Sequence, residues 1–302
     1  AAPERPIRIG VPTIPAAIGH PYQGITIPPI LALQLVYDTV TTLDHAGNPA
    51  PGLAMAWRPD GDRDWILELR RGVTFSNGEP FDATALVESA QHLASKQGRG
   101  ETLGSTLYQV DAVERIDDLT VRIKLNEPDP LLPLHLAAWR IPAPRQWKTL
   151  QMPAGASDAV GSGPYTIAER REGRLLLRAN PRAWRKPSAA SIELLMIPES
   201  TARLQAFTSG AVDLAMSLPG DVKPAVERTG GRLVTRMTPL VDYIGFITER
   251  RATPLDDVRV RRAINLAVNR AALTQAILGD ATKPASQLAM PGACGYDTAL
   301  QP

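Results

Sequence analysis

The sequence predicts an α/β fold, because strand-period and helix-period patterns are mixed along its whole length and no internal repeat imposes a solenoid. Residues 7–11 form a short apolar strand, whereas residues 12–29 hold too many prolines and glycines for regular structure and read as a long loop. That loop meets a helix over residues 30–39, where apolar residues recur at helical spacing. After a turn at 44–48, Trp65, Leu67 and Leu69 alternate with Ile66, Glu68 and Arg70, the pattern of a strand with one face more deeply buried. Asp60, Gly61 and Asp62 form the turn before it; Arg71-Gly72 and Asn77-Gly78 after it supply residues that tolerate positive φ. Asp82 is placed to cap a helix whose Leu86, Ala90, Leu93 and Ala94 share a face.

Leu119, Val121, Ile123 and Leu125 alternate with Thr120, Arg122 and Lys124 in another one-sided strand, and Pro128, Pro130 and Pro133 punctuate the route to Trp139 and Arg140. Strands follow at 166–169, 175–178 and 192–197, then a helix over 201–209 ended by Gly210, and a strand at 212–216. Residues 243–248 read as a strand. Asp257 caps a helix with Val260, Ala263, Ile264, Ala267 and Val268 on one stripe, and a second helical segment runs from Asn269 toward Gly279.

Composition narrows the function classes. A chain of 302 residues can bury a substantial core as one large or two moderate domains. Its 33 Lys and Arg against 31 Asp and Glu give a net charge of only +2, with the basic residues spread among acids, so no nucleic-acid stripe is present. No uninterrupted apolar run is long enough to cross a bilayer. The one cysteine, Cys294, permits no internal disulfide and no cysteine-rich zinc site.

The chemical motifs are sparse. Asp60-x-Asp62-x-Asp64 opens like a calcium loop but lacks the later Gly and bidentate Glu, which makes it a surface turn. Gly161-x-Gly163 lacks the third glycine of a dinucleotide fingerprint, and Pro164 has no amide to offer a phosphate. His20, His45, His92 and His135 are dispersed without paired-ligand spacing, and no G-x-S-x-G elbow accompanies them. Neither catalytic residues, nor a metal site, nor a cofactor is expected from these patterns.

Residues 52–83, GLAMAWRPDGDRDWILELRRGVTFSNGEPFDA, join an apolar segment, a charged turn, a strand and a helix start. With Gly161-Ser162-Gly163-Pro164-Tyr165, Asn180-Pro181 followed by Trp184, residues 201–213 (TARLQAFTSGAVD) and residues 254–270 (PLDDVRVRRAINLAVNR), this order of blocks resembles the extracytoplasmic solute-binding proteins of the peptide/nickel family, which serve ABC importers. The resemblance extends over nearly the whole chain. It implies a two-lobed periplasmic-binding fold: a first lobe over 1–240 with an inserted subdomain at about 45–165, then the lobe crossing and the start of an incomplete second lobe over 241–302. It also implies a periplasmic monomer that captures a small solute, a short peptide first, and delivers it to an ABC permease without turnover, nucleic acid or membrane insertion. Metal chelates and opines are the alternatives within the family; a periplasmic enzyme or a chaperone-like binder is the competing class. The start Ala1-Ala2-Pro3-Glu4 suits a mature chain cleaved behind small residues, and the lack of an N-terminal Cys predicts a freely diffusing form. Relatives continue past the point equivalent to Pro302, so a shortened chain is expected.

Four residues are expected at a ligand. Arg140 matches an arginine that projects into the cleft of nickel-chelate relatives, and its planar, always-charged fork suits a carboxylate. Its alternative is an ion pair with an Asp or Glu between subdomains. Tyr22 and Tyr243 are candidate aromatic walls, each also explicable as packing with a satisfied hydroxyl. Thr248 stands in the crossing strand after Ile247, where peptide-binding relatives place an Asn whose amide can pair with a peptide backbone. Thr102 and Ile30 replace the aromatic and Met that nickel-chelate relatives place around their ligand. Trp139 is expected in core or subdomain packing rather than at the ligand.

Overall fold

The computed structural model describes residues 5–15, 20–22, 27–146, 159–235, 241–247, 253–278, 282–289 and 295–300, without the side chains of residues 27–29 and 278. The chain forms two units, Ala1–Met216 and Ser217–Pro302. In the first, the order is β1 (Ile7–Val11), α1 (Ile27–Val36), β2 (Thr41–Leu43), β3 (Pro49–Pro51), β4 (Ala54–Asp60), β5 (Asp64–Leu69), α2 (Ala83–Ala94), α3 (Lys96–Arg99), α4 (Thr102–Thr106), β6 (Val110–Arg115), β7 (Thr120–Leu125), β8 (Tyr165–Arg171), β9 (Arg174–Ala179), β10 (Ser191–Met196), a helix at Ser200–Thr208 and β11 (Leu214–Ala215).

Two larger sheets carry the unit. One is mixed, in the order β11-β1-β10-β9-β8: β1 runs parallel to both β10 and β11, and β8, β9 and β10 are antiparallel. The other is antiparallel, in the order β4-β5-β7-β6. The period-2 pattern explains β7, where Val121, Ile123 and Leu125 are buried while Thr120, Arg122 and Lys124 are partly exposed. In β5, Ile66 is buried as well as Leu67 and Leu69, so its apolar pattern is broader than strict alternation predicts. α2 lays Ala83, Leu86, Ala90 and Leu93 into the core of this sheet, joined by Phe75, Phe81 and Trp139. Asp82 caps it by accepting the Thr84 amide at 2.8 Å. A second core sets Leu33, Val36 and Tyr37 against Leu175, Leu177, Ile192 and Leu194 of the mixed sheet.

α1 starts and ends three residues earlier than its pattern predicts. Pro28 and Pro29 occupy the first turn, where a missing amide hydrogen costs nothing. The end comes at Val36 because the following residues bond elsewhere: the Val40 amide donates to the Trp139 carbonyl at 3.0 Å, and Thr39 bridges to Arg140. The strand expected at 212–216 shrinks to Leu214–Ala215 beside β1.

The glycine–proline block at 161–165 is a packing device. A Cβ at Gly161 would collide with the Val36 carbonyl oxygen, and one at Gly163 would lie 2.6 Å from the same carbonyl. Asp38 gathers the neighbouring motif residues: it accepts hydrogen bonds from Ser162 Oγ at 2.8 Å, Trp184 Nε1 at 2.7 Å and Arg185 Nε at 2.7 Å. Asn180 donates its Nδ2 to the Gly163 carbonyl at 2.9 Å, and Arg70 lies 4.0 Å over the Trp184 ring. Blocks far apart in sequence thus meet in one knot.

In the second unit, helices span Lys223–Arg228, Val258–Ala267 and Arg270–Leu278. Asp257 caps the second of these through the Arg259 amide at 2.8 Å, as its position predicts. None of that helix's residues is buried, so its apolar stripe is uncovered among the described residues. Residues 241–247 form no strand, contrary to the pattern at 243–248, because no described strand lies alongside to pair with them. Among the described residues, no helix is long and apolar enough to cross a membrane.

Candidate functional site

The backbone at Arg140 is held by pairing with the segment after α1: besides the Thr39 bridge, the Ile141 amide donates to the Asp38 carbonyl at 3.0 Å. This turns Trp139 and Arg140 to different environments. Trp139 enters the core, as expected, and its Nε1 donates to Ser89 Oγ at 2.7 Å and more weakly to Tyr22 Oη at 3.2 Å. Tyr22 also bonds directly to Ser89. Burial pushes the Tyr22 phenol far above its usual pKa, so it stays neutral, and Tyr37, hydrogen-bonded by Gln146, behaves the same way.

Arg140 is only 4% exposed, yet no carboxylate lies within ion-pair distance of it among the described residues. Its Nη1 donates to the Pro21 carbonyl at 3.0 Å, and its Nε has no partner. Burial lowers its pKa, partly opposed by Tyr22 and Tyr37. A guanidinium nevertheless remains charged in a protein. An isolated buried cation costs several kcal/mol after relaxation, by order of magnitude, whereas an incoming carboxylate would supply both a countercharge and acceptors for idle donors. The expected alternative, a resident Asp or Glu partner, is absent among the described residues.

The structure brings Tyr22 and Arg140 together through the short 20–22 segment, but it buries Tyr22 in the core with its hydroxyl engaged. Tyr243 lies in the second unit and is 72% exposed. Thr248 lies outside the described residues. Thr102 opens α4, and Ile30 is half-buried in α1. A grouping that the dispersed histidines gave no hint of lies beside Tyr22: His20, His92 and Glu101 converge there, with the His92 ring centroid 5.8 Å from that of Tyr22.

The mixed α/β fold matches two-lobed periplasmic binding proteins. It aligns over 99% of this chain with Brucella suis NikA, solved with Fe(III)-EDTA, at a TM-score of 0.81 and 24% identity, covering 61% of that chain. The oligopeptide-binding protein AppA of Bacillus subtilis, solved with a nonapeptide, aligns over 97% of this chain and 60% of its own, with a TM-score of 0.82 and 20% identity. The chain belongs to the bacterial extracellular solute-binding proteins, family 5, whose model matches residues 48–302. Among curated relatives, the nickel-binding periplasmic protein of Escherichia coli K12 is 27% identical over 283 residues, covering 90% of this chain and 54% of that protein. The oligopeptide-binding protein OppA of Bacillus subtilis 168 is 23% identical over 297 residues, covering 88% and 53% respectively. The chain thus spans about half the length of these curated relatives.

Proposed function

We propose that this chain captures a small carboxylate-bearing solute, a short peptide first, outside the cytoplasm and passes it to an ABC permease. The carrying observation is Arg140: a buried cation with an orphaned Nε and no carboxylate within ion-pair distance among the described residues is suited to receive one. Relatives that bind oligopeptides or nickel support solute capture as the function class. Mechanistically, a solute touching both lobes of such a binder stabilises the closed form, and the permease recognises that form.

Calorimetric titration with di- and tripeptides, their C-terminal amides, metal chelates and opines tests this reading. Free-carboxylate peptides should bind one per chain. Arg140→Gln should weaken them about 10- to 150-fold, the equivalent of one lost charge-assisted bond of roughly 1.5–3 kcal/mol. Capping the carboxylate should cost a similar factor in wild type and little in the variant. Equal affinities in wild type and variant would remove Arg140 from the site; tighter binding of a chelate or opine than of any peptide would reassign the solute.

A further inference from the structure

We propose that His20, His92 and Glu101 form a binding site for one divalent transition-metal ion of the zinc class, pinning the 20–22 segment to the end of α2 and the start of α4. The three side chains come from separate places: His20 from the segment after β1, His92 from the last turn of α2, and Glu101 from the residue preceding α4. Glu101 Oε1 lies 3.0 Å from His20 Nε2, and Oε2 lies 2.9 Å from His92 Nε2. One donor atom from each residue falls within 4.8 Å of the other two. Two ligands held about 2.1 Å from one tetrahedral ion stand roughly 3.4 Å apart, so each observed spacing must open by about 0.4–0.5 Å to admit the ion.

Burial supplies the second observation. His20 is 7% exposed and Glu101 8%. His20 Nε2 and Glu101 Oε1 face each other at 3.0 Å as an ion-pair contact, and neither atom has a well-aligned hydrogen-bond partner. Buried polar atoms without hydrogen bonds are costly, and an ion that accepts both lone pairs removes that cost. Two imidazoles and one carboxylate suit Zn²⁺, with Ni²⁺ and Co²⁺ as close competitors, and suit Ca²⁺ or Mg²⁺ poorly. Three protein ligands leave a fourth position for water.

One contact opposes metal. His20 Nδ1 accepts the Tyr22 amide at 3.3 Å, placing the ring proton on Nε2 while the site is empty. Metal at Nε2 moves that proton to Nδ1 and ends this long hydrogen bond, a loss small beside the coordinate bonds gained. The same exchange gives the site a signature, because zinc must shift the Tyr22 amide resonance.

The site does not depend on the reading of Arg140. Equilibrium dialysis of the 302-residue chain against ZnCl₂ near neutral pH should give one tightly held ion per chain, accompanied by movement of the Tyr22 amide peak in a ¹H–¹⁵N spectrum. His20→Ala, His92→Ala and Glu101→Gln should each weaken binding about a hundredfold or more, whereas His45→Ala and His135→Ala should leave it unchanged. Circular dichroism identifies any variant that fails to fold; wild-type Co²⁺ absorption then reports the coordination independently, expected as visible bands of a low-symmetry nitrogen–oxygen site. No saturable ion in wild type, an unmoved Tyr22 peak, or binding within threefold of wild type in the folded variants would overturn the site and leave the triad a hydrogen-bonded clamp.

Discussion

Replacing Asp38 by alanine tests whether the knot of sequence blocks around it holds the first unit together. The substitution removes the acceptor for Ser162 Oγ, Trp184 Nε1 and Arg185 Nε, at 2.8, 2.7 and 2.7 Å. Ser162 is fully buried and Trp184 partly so, so these donors lose bonds to an ionised partner worth roughly 1.5–3 kcal/mol each. The Arg185 side chain is 41% exposed and finds water instead, which limits its share to about 0–1 kcal/mol. The sum is about 3–7 kcal/mol, and water reaching Trp184 lowers the upper end to about 5 kcal/mol. Asp38→Asn keeps one acceptor oxygen but turns an amide donor toward other donors, so roughly half the loss is expected. Equilibrium urea unfolding, followed by tryptophan fluorescence and by circular dichroism, measures both losses. A cost below about 1 kcal/mol for Asp38→Ala would refute the claim that this carboxylate organises the unit.

Two further substitutions separate close packing from ordinary backbone preference and test the pH dependence. Gly161→Ala drives a Cβ into the Val36 carbonyl and should cost about 3 kcal/mol or more, whereas Gly47→Ala, at φ +86° with open space around it, should cost only about 1 kcal/mol; thermal melts that rank them the other way defeat the packing account. Asp213 is held down to about 2 first by the Arg5 guanidinium and then by the Arg8 amide. Because the folded pKa lies below the unfolded value of 3.8, its contribution is present above that value and is lost as pH falls toward 2. The group is exposed, so solvent screening limits the effect to about 0.5–1 kcal/mol, and Asp213→Asn should flatten that part of the stability–pH curve between pH 4.5 and 2. An unchanged slope in the variant would count against the Arg5 and Arg8 contacts.

The local periods explain which parts of the fold were readable. β7 alternates cleanly because one face meets the core that α2 also enters, and Asp82 announces its helix because the cap is chemistry within two residues. The end of α1 departs from its local pattern because it depends on residues 139–141, about a hundred positions away. Residues 243–247 carry strand-forming side chains but have no described strand to pair with, and pairing is a tertiary fact. At the candidate site, resemblance points to Arg140, but its lack of a countercharge among the described residues depends on what fails to approach it in space. His20, His92 and Glu101 gave no motif because no two of them share a helical turn; only the fold closes the distance.

The position of β1 sets a clock on folding. Both of its neighbours in the sheet, β10 and β11, are encoded near the end of the first unit, so residues 7–11 must wait for residues 191–196 and 214–215. At the usual pace of about 5–20 residues per second, that wait lasts roughly ten to forty seconds of synthesis. During it the mixed sheet lacks an interior strand, and its eventual closure spans a loop that folds slowly by its length alone. The antiparallel sheet, whose strands all lie between residues 54 and 125, has no such wait, so the two sheets of one unit are completed at different times in synthesis.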